Sequence, residues 1–265
     1  MHAFEYHRPS TVKDALALAF KKEEGRYLAG GQSLVQAMKL RLSSPTDLID
    51  LNAIGDLKAL KTESNAVTIG AMVRHAEVAA SSGVKKAIPA LASLAGIIGD
   101  RQVRHMGTIG GSLANSDPAA DYPAAVLGLG ATIVTNKRKI EADKFFKGLY
   151  ETALEPGELI TAVSFPVPKR AAYMKFKNPA SRFAIVGVFV ADFGGKVRVG
   201  VTGAGPCAFR QTDMEKALAS KFAPESVASI KVKADGLNND LHASPEYRAH
   251  LITVMAKRAV EAAIK

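Results

Sequence analysis

The chain has 265 residues, 48% of them apolar and 23% charged, a formal net charge of +10 and one cysteine. That length holds two or three subdomains around a substantial core, and a single cysteine excludes both an internal disulfide and an iron–sulfur cluster held by this chain alone. No apolar run spans a bilayer, the first six residues lack the apolar centre of a signal peptide, and the dispersed lysines and arginines form no basic run interleaved with aromatics, so a cytoplasmic protein without a nucleic-acid surface is expected.

After an extended start, Thr11-Val12-Lys13-Asp14 is a capping box that opens a helix through residue 20, with Val12, Ala15, Leu16 and Ala19 on one face. Residues 26–29 read as a strand running into the turn Ala29-Gly30-Gly31-Gln32-Ser33. Ser33 is placed to cap a second helix carrying Leu34, Ala37, Met38 and Leu42 on one stripe. Residues 47–51 close a small β-α-β-like unit. The start of the Ser33 helix, with its partial positive charge, points at whatever the turn holds.

A hairpin follows, with strands 57–61 and 67–71 around Ser64-Asn65. Helices are expected at 75–81 and, with Pro89 at its first position, at 89–98. The polar stretch 99–106 leads into a second glycine turn, Gly107-Thr108-Ile109-Gly110-Gly111. Loop or cap residues 116–121 precede a small-residue helix at 122–129, and strands 132–135 and 139–142 pair across a charged turn. The turn Glu155-Pro156-Gly157-Glu158 leads to a strand at 159–165.

Pro166 and Pro168 mark the last boundary. An antiparallel meander (173–177, 183–192, 196–202) and two helices, 212–220 and 245 to the C-terminus, complete the chain. Boundaries therefore fall at 1–56, 57–166 and 167–265.

Glycine permits positive φ and close backbone approach, so each glycine turn can present N–H groups to an anion. Two such turns, with no Walker lysine and no histidine cluster at metal-ligand spacing, indicate a diphosphate held from two sides and hence a dinucleotide. Gly110 is expected to keep room for it, so that a valine there removes the ligand without unfolding the chain.

With those residues in view, the chain resembles the FAD-binding medium subunit of the molybdenum hydroxylases, the xanthine dehydrogenase group, and is nearest in form to carbon monoxide dehydrogenase-type medium subunits. The resemblance covers essentially the whole chain. It is carried by Phe4-Glu5-Tyr6-His7-Arg8-Pro9, the first turn with Leu34, and residues 47–51. It continues through residues 104–115 with the second turn, Asp117-Pro118, Asp121, and Glu155-Pro156-Gly157-Glu158-Leu159. It implies an α+β fold: a two-lobed FAD-binding domain of the PCMH type, followed by a C-terminal antiparallel sheet with helices.

The resemblance also implies the site. Backbone N–H groups of Gly30, Gly31, Gln32 and Ser33, flanked by Leu28, Ala29 and Leu34, would meet one side of the FAD pyrophosphate. Those of Thr108, Ile109, Gly110 and Gly111, flanked by Gly107 and Ser112, would meet the other. Asp121 would contact the flavin nucleotide, or cap the helix at Tyr122. Asp117 reads as a cap or turn former. Lys177 matches a lysine near the isoalloxazine carbonyl edge, with Lys175 an alternative two residues away on the same strand face, or either is a solvated strand position. Phe183 stands where relatives carry a tyrosine beside the flavin, and Gln32 where some carry histidine. Ile98 and Ile160 would pack on flavin or adenine. Phe183, Ile98 and Ile160 also read as core.

By the same resemblance, FAD is non-covalent. Two [2Fe–2S] clusters belong to a small partner subunit and the molybdenum cofactor to a large one, in a dimer of heterotrimers. The chain would take electrons from the partner's clusters and pass them through FAD to an external acceptor. A self-sufficient PCMH-type flavoprotein oxidase is the alternative, and an FAD-free module that kept the fold is a third.

Overall fold

A computed structural model describes residues 1–22 and 24–265. Three parallel strands, β1 (Glu5–His7), β2 (Arg26–Leu28) and β3 (Asp47–Asp50), form the first sheet in the order β1-β3-β2. Helix α1 (Val12–Lys21) connects β1 to β2. Thr11 caps it by accepting from the Asp14 N–H at 3.1 Å. Ala15 of α1 is fully buried in a small core with Ile49, Ile54, Leu57, Met72 and Leu159.

Helix α2 (Leu34–Lys39) is shorter than its apolar stripe indicates. Ser33 occupies the N-cap position but makes no side-chain cap bond. The chain leaves the helix through Arg41 at φ +59°, which puts Leu42 outside the helix and 78% exposed.

The second sheet is antiparallel. In chain order its strands are β4 (Leu60–Thr62), β5 (Ala66–Gly70), β6 (Thr132–Thr135), β7 (Lys139–Glu141) and, beyond the short pair β8 (Phe146–Gly148) and β9 (Glu151–Thr152), β10 (Ile160–Pro166). They are arranged β4-β5-β10-β6-β7. The first hairpin strand starts later than the sequence implies, because Gly55–Lys58 is a 3-10 turn that buries Leu57.

Between β5 and β6 lie helices α3 (His75–Ala80), α4 (Ser82–Ala87), α5 (Pro89–Gly96), α6 (Arg101–Met106), α7 (Ile109–Asn115) and α8 (Tyr122–Leu129), and α9 (Ala142–Phe145) follows β7. Two of these correct the sequence reading. The polar stretch is helix α6, capped by Asp100, which accepts from the Val103 N–H at 2.8 Å. The second glycine turn is the start of helix α7, with Thr108 as its N-cap.

The third sheet runs β11 (Arg170–Lys177), β12 (Ala184–Asp192), β13 (Val197–Thr202), β14 (Phe209–Arg210) in sequential antiparallel order. Helices α10 (Thr212–Ser220), α11 (Pro224–Ala228) and α12 (Pro245–Ile264) follow. Every residue of α8 is buried, as a helix apolar all round requires. It seats on β12 and β13 through glycine: a β-carbon on Gly200 would stand 2.8 Å from the Gly128 nitrogen and overlap the Ala124 carbonyl oxygen. The fold is α+β, with α8 joining the second lobe to the C-terminal sheet.

Candidate functional site

A cleft of about 590 Å³ opens between β2, the start of β10 and the turn between β11 and β12. One wall is the loop after β2. Gly31 takes φ +73°, a backbone state glycine adopts without strain. Among the described residues, the N–H groups of Gly30, Gly31, Gln32 and Ser33 have no hydrogen-bond partner, and all four residues line the cleft. Four consecutive unpaired donors need an acceptor, from water or from a ligand. The loop is held from behind by Asn52. Its Nδ2 donates to the Ala29 carbonyl at 3.1 Å and to Asp50 at 2.7 Å, and Tyr6 also donates to Asp50.

The second wall differs from its sequence reading. The Ile109 N–H donates to the Val73 carbonyl at 3.2 Å and the Gly110 N–H to the Ala71 carbonyl at 2.9 Å. The Gly111 N–H donates to Thr108 Oγ1 at 3.2 Å, the helix cap. Only Thr108 keeps an N–H without a partner among the described residues of this segment's expected cradle. Gly110 is required by packing instead: a β-carbon there would stand 2.5 Å from the Ala71 β-carbon. Gly107 is pressed against His75, whose Nε2 would lie 2.6 Å from an added β-carbon. The His75 ring lines the cleft with Nδ1 buried and unpartnered, and burial followed by the nearby Arg104 charge lowers its pKa to about 4.

At the other end of the cleft, Asp121 is buried at the start of α8 yet caps nothing. Tyr173 donates to its Oδ1 at 2.6 Å, and the Lys175 ammonium lies 3.1 Å from its Oδ2. Burial raises the Asp121 pKa against the opposing effects of Lys175 and Tyr173. Lys177, the expected flavin lysine, is exposed and does not line the cleft. The β11–β12 register shifts between Phe176 and Lys177, so the two lysines do not share one environment despite their even spacing. Phe183 lines the cleft and is 47% exposed, on a turn where Arg182 takes φ +64°.

The turn before β10 is fixed by Glu158. Its carboxylate accepts from Arg138 Nε and Nη2, both at 3.0 Å, from Thr135 at 2.6 Å and from the Glu155 N–H at 2.8 Å. The Arg138 guanidinium, foremost, lowers the Glu158 pKa to about 2. Tyr27 reaches the same turn, donating to the Gly157 carbonyl at 3.0 Å.

Of the expected site residues, Leu28, Ile109 and Lys177 stand outside the cleft lining, and the others form part of it. Sequence reasoning missed His75, Asn52, Tyr27 and Arg182. Only Asn52 carried a local signal, two residues after an aspartate that it can bridge. Asp117 lines the cleft, accepts from the Ala119 N–H at 2.9 Å and has its pKa raised by burial. Elsewhere the fold gathers Glu5, His7 and Asp47, three metal-capable groups that spacing did not reveal. The Lys22 ammonium already lies 3.2 Å from Asp47 and 3.3 Å from Glu5, supplying the cation that pairs these carboxylates.

Unpaired backbone donors at one end, an apolar middle with Ile98 and Ile160, and a buried charged pair at the other fit a long ligand with an anionic linker. Comparison with known proteins agrees. Residues 2–168 match the family described as FAD binding domain in molybdopterin dehydrogenase. The chain is 36% identical to the carbon monoxide dehydrogenase medium chain of Afipia carboxidovorans, over 98% of this chain and 96% of that one. It is 33% identical to the glyceraldehyde dehydrogenase medium chain of Sulfolobus acidocaldarius, over 97% and 96%. A chain of carbon monoxide dehydrogenase from Hydrogenophaga pseudoflava superposes with a TM-score of 0.90 at 35% identity, over 99% of this chain and 98% of that one.

Proposed function

The chain belongs to the family of FAD-binding domains of molybdopterin dehydrogenases, and from that premise we propose that it is the subunit through which electrons leave a multi-subunit molybdenum hydroxylase. It is an oxidoreductase subunit of the FAD-binding medium type. The observation that carries the site is the run of four unpaired N–H groups from Gly30 to Ser33. They would hold the pyrophosphate of FAD, joined by the Thr108 N–H from the second wall. Asn52 orients the loop through the Ala29 carbonyl, so the donors are set before the ligand arrives. Ile98, Ile160 and Phe183 would enclose the rings and exclude water. FAD, when bound, supplies the redox chemistry, and this chain's residues hold and tune it.

One cysteine supports placing the iron–sulfur clusters on a partner. We place two [2Fe–2S] clusters on a small subunit and the molybdenum cofactor on a large one, assembled as a dimer of heterotrimers. Likeness to medium chains along almost the full length weighs against the self-sufficient oxidase.

Native material purified by gel filtration tests this reading. Iron, molybdenum and flavin should co-elute with the chain at several times its own mass, and acid precipitation should release all flavin into the supernatant. A native chain that elutes alone and oxidises substrate unaided, or a flavin that stays on the denatured polypeptide, overturns it.

A further inference from the structure

We infer that Lys175 is a positioning residue: it fastens the Phe183 turn and the segment after α5 over one end of the cleft, acting with Asp121, and is not itself a ligand of the flavin. An ammonium has three N–H donors. Those of Lys175 are taken by the Ile97 carbonyl at 3.1 Å, the Arg182 carbonyl at 3.0 Å and the Asp121 carboxylate at 3.1 Å. None is left for a cofactor carbonyl. The side chain is 3% exposed and does not line the cleft.

The three acceptors lie on three different parts of the wall. Ile97 follows α5 and precedes Ile98, which lines the cleft. Arg182 precedes Phe183 on the turn between β11 and β12. Asp121 starts α8. The joint is reinforced nearby: Arg182 Nη1 approaches the Gly99 carbonyl at 3.4 Å, and Asn178 Oδ1 accepts from the Ala180 and Ser181 N–H groups at 2.9 and 3.1 Å. Arg182 holds φ +64°, a conformation that costs a non-glycine residue energy and persists only where its surroundings enforce it. The Lys175 bond to its carbonyl is one such enforcement. Asp121 neutralises the ammonium, which lies within reach of both its oxygens, and Tyr173 donates to the same carboxylate, so the Lys175–Asp121 pair carries no net charge.

Resting on FAD as the occupant of the cleft, the inference is tested on the full-length holoprotein with Lys175→Met, which keeps the stem and removes all three donors. Flavin binding should weaken about tenfold, the worth of one lost charge-assisted hydrogen bond carried through to the ligand. Iodide should quench the flavin fluorescence more strongly, because the Phe183 turn is released. A Gly128→Ala variant, matched in loss of thermal stability, should leave quenching unchanged. The double variant Lys175→Met/Asp121→Asn should bind no worse than Lys175→Met alone. If Lys175→Met does not fold, Asp121→Asn and Lys175→Arg carry the test. Asp121→Asn should raise quenching, and Lys175→Arg, which retains donors for all three acceptors, should raise it less.

Wild-type affinity and quenching in Lys175→Met, or in Asp121→Asn when that variant carries the test, overturns the inference. So does a large shift of flavin midpoint potential with quenching unchanged, which would make Lys175 a direct ligand. A wild-type protein that binds no FAD instead overturns the proposed function and is read before any variant.

Discussion

Gly30 and Gly107 touch: a β-carbon on Gly30 would stand 2.7 Å from the Gly107 α-carbon and overlap the Met106 carbonyl oxygen. The two glycine segments, 77 positions apart in sequence, are therefore one joint, with the donors on the Gly30 side and the rigid backing on the Gly107 side.

Gly30→Ala should consequently open that joint. FAD content should fall more than tenfold while far-UV circular dichroism stays near wild type, with a stability loss of about 1–3 kcal/mol from overpacking. Flavin absorbance of the purified variant, beside its denaturant midpoint, checks both parts.

Gly110→Val should behave differently from its sequence expectation. The new side chain runs into Ala71, whose β-carbon stands 2.5 Å from an added β-carbon. The first measurable effect is therefore on folding, again about 1–3 kcal/mol or more for a branched side chain, with FAD lost as a consequence. Chemical denaturation of the flavin-free variant and flavin-free wild type, side by side, isolates it. Equal stabilities would contradict the packing role.

Asn52→Ala removes the bond that orients the Ala29 carbonyl. A net hydrogen bond of about 1 kcal/mol translates into a several-fold rise in FAD dissociation constant. Fluorescence titration measures it. Because Asn52 does not line the cleft, an unchanged affinity would mean that the loop holds its shape unaided.

His75 ties stability to pH. Its folded pKa, lowered to about 4, lies below the unfolded 6.5, so both states are neutral above 6.5 and the residue has no effect there. As pH falls from 6.5 towards 4 the unfolded chain takes up a proton that the folded chain resists, costing up to about 3 kcal/mol. Glu158 acts lower: its pKa of about 2 against 4.5 makes its contribution complete above pH 4.5 and lost as pH falls towards 2. Thermal melts from pH 7 to 4.5 should show a decline that His75→Leu flattens and Glu158→Gln leaves in place.

Much of this architecture was legible locally. Thr11 announces α1 because its cap bond needs only Asp14, three residues away, and Pro89 announces α5 for the same kind of reason. Helix α6 was hidden because Arg101–Met106 buries no residue and so shows no apolar stripe; Asp100 was its one signal. Helix α7 was hidden by Gly110 and Gly111, which read as a turn until Ala71 is known to pack there. The candidate site was legible in its local glycine loop, whose N–H groups from Gly30 to Ser33 stay without a protein partner among the described residues. It was misread where partners come from afar: Ala71 and Val73 occupy the donors of Gly110 and Ile109, and the shift after Phe176 separates Lys175 from Lys177.

The cleft is lined by residues of β2, of β10 and of the turn between β11 and β12, parts of three sheets that share no strand, and the first of these sheets has only three short strands. A ligand spanning the cleft couples the melting of these units. At a hundredfold excess over its dissociation constant it adds about 2.7 kcal/mol to the closed arrangement. Calorimetry of the loaded chain should then give a single transition. The stripped chain should lose the N-terminal sheet first, at lower temperature, in a separate endotherm.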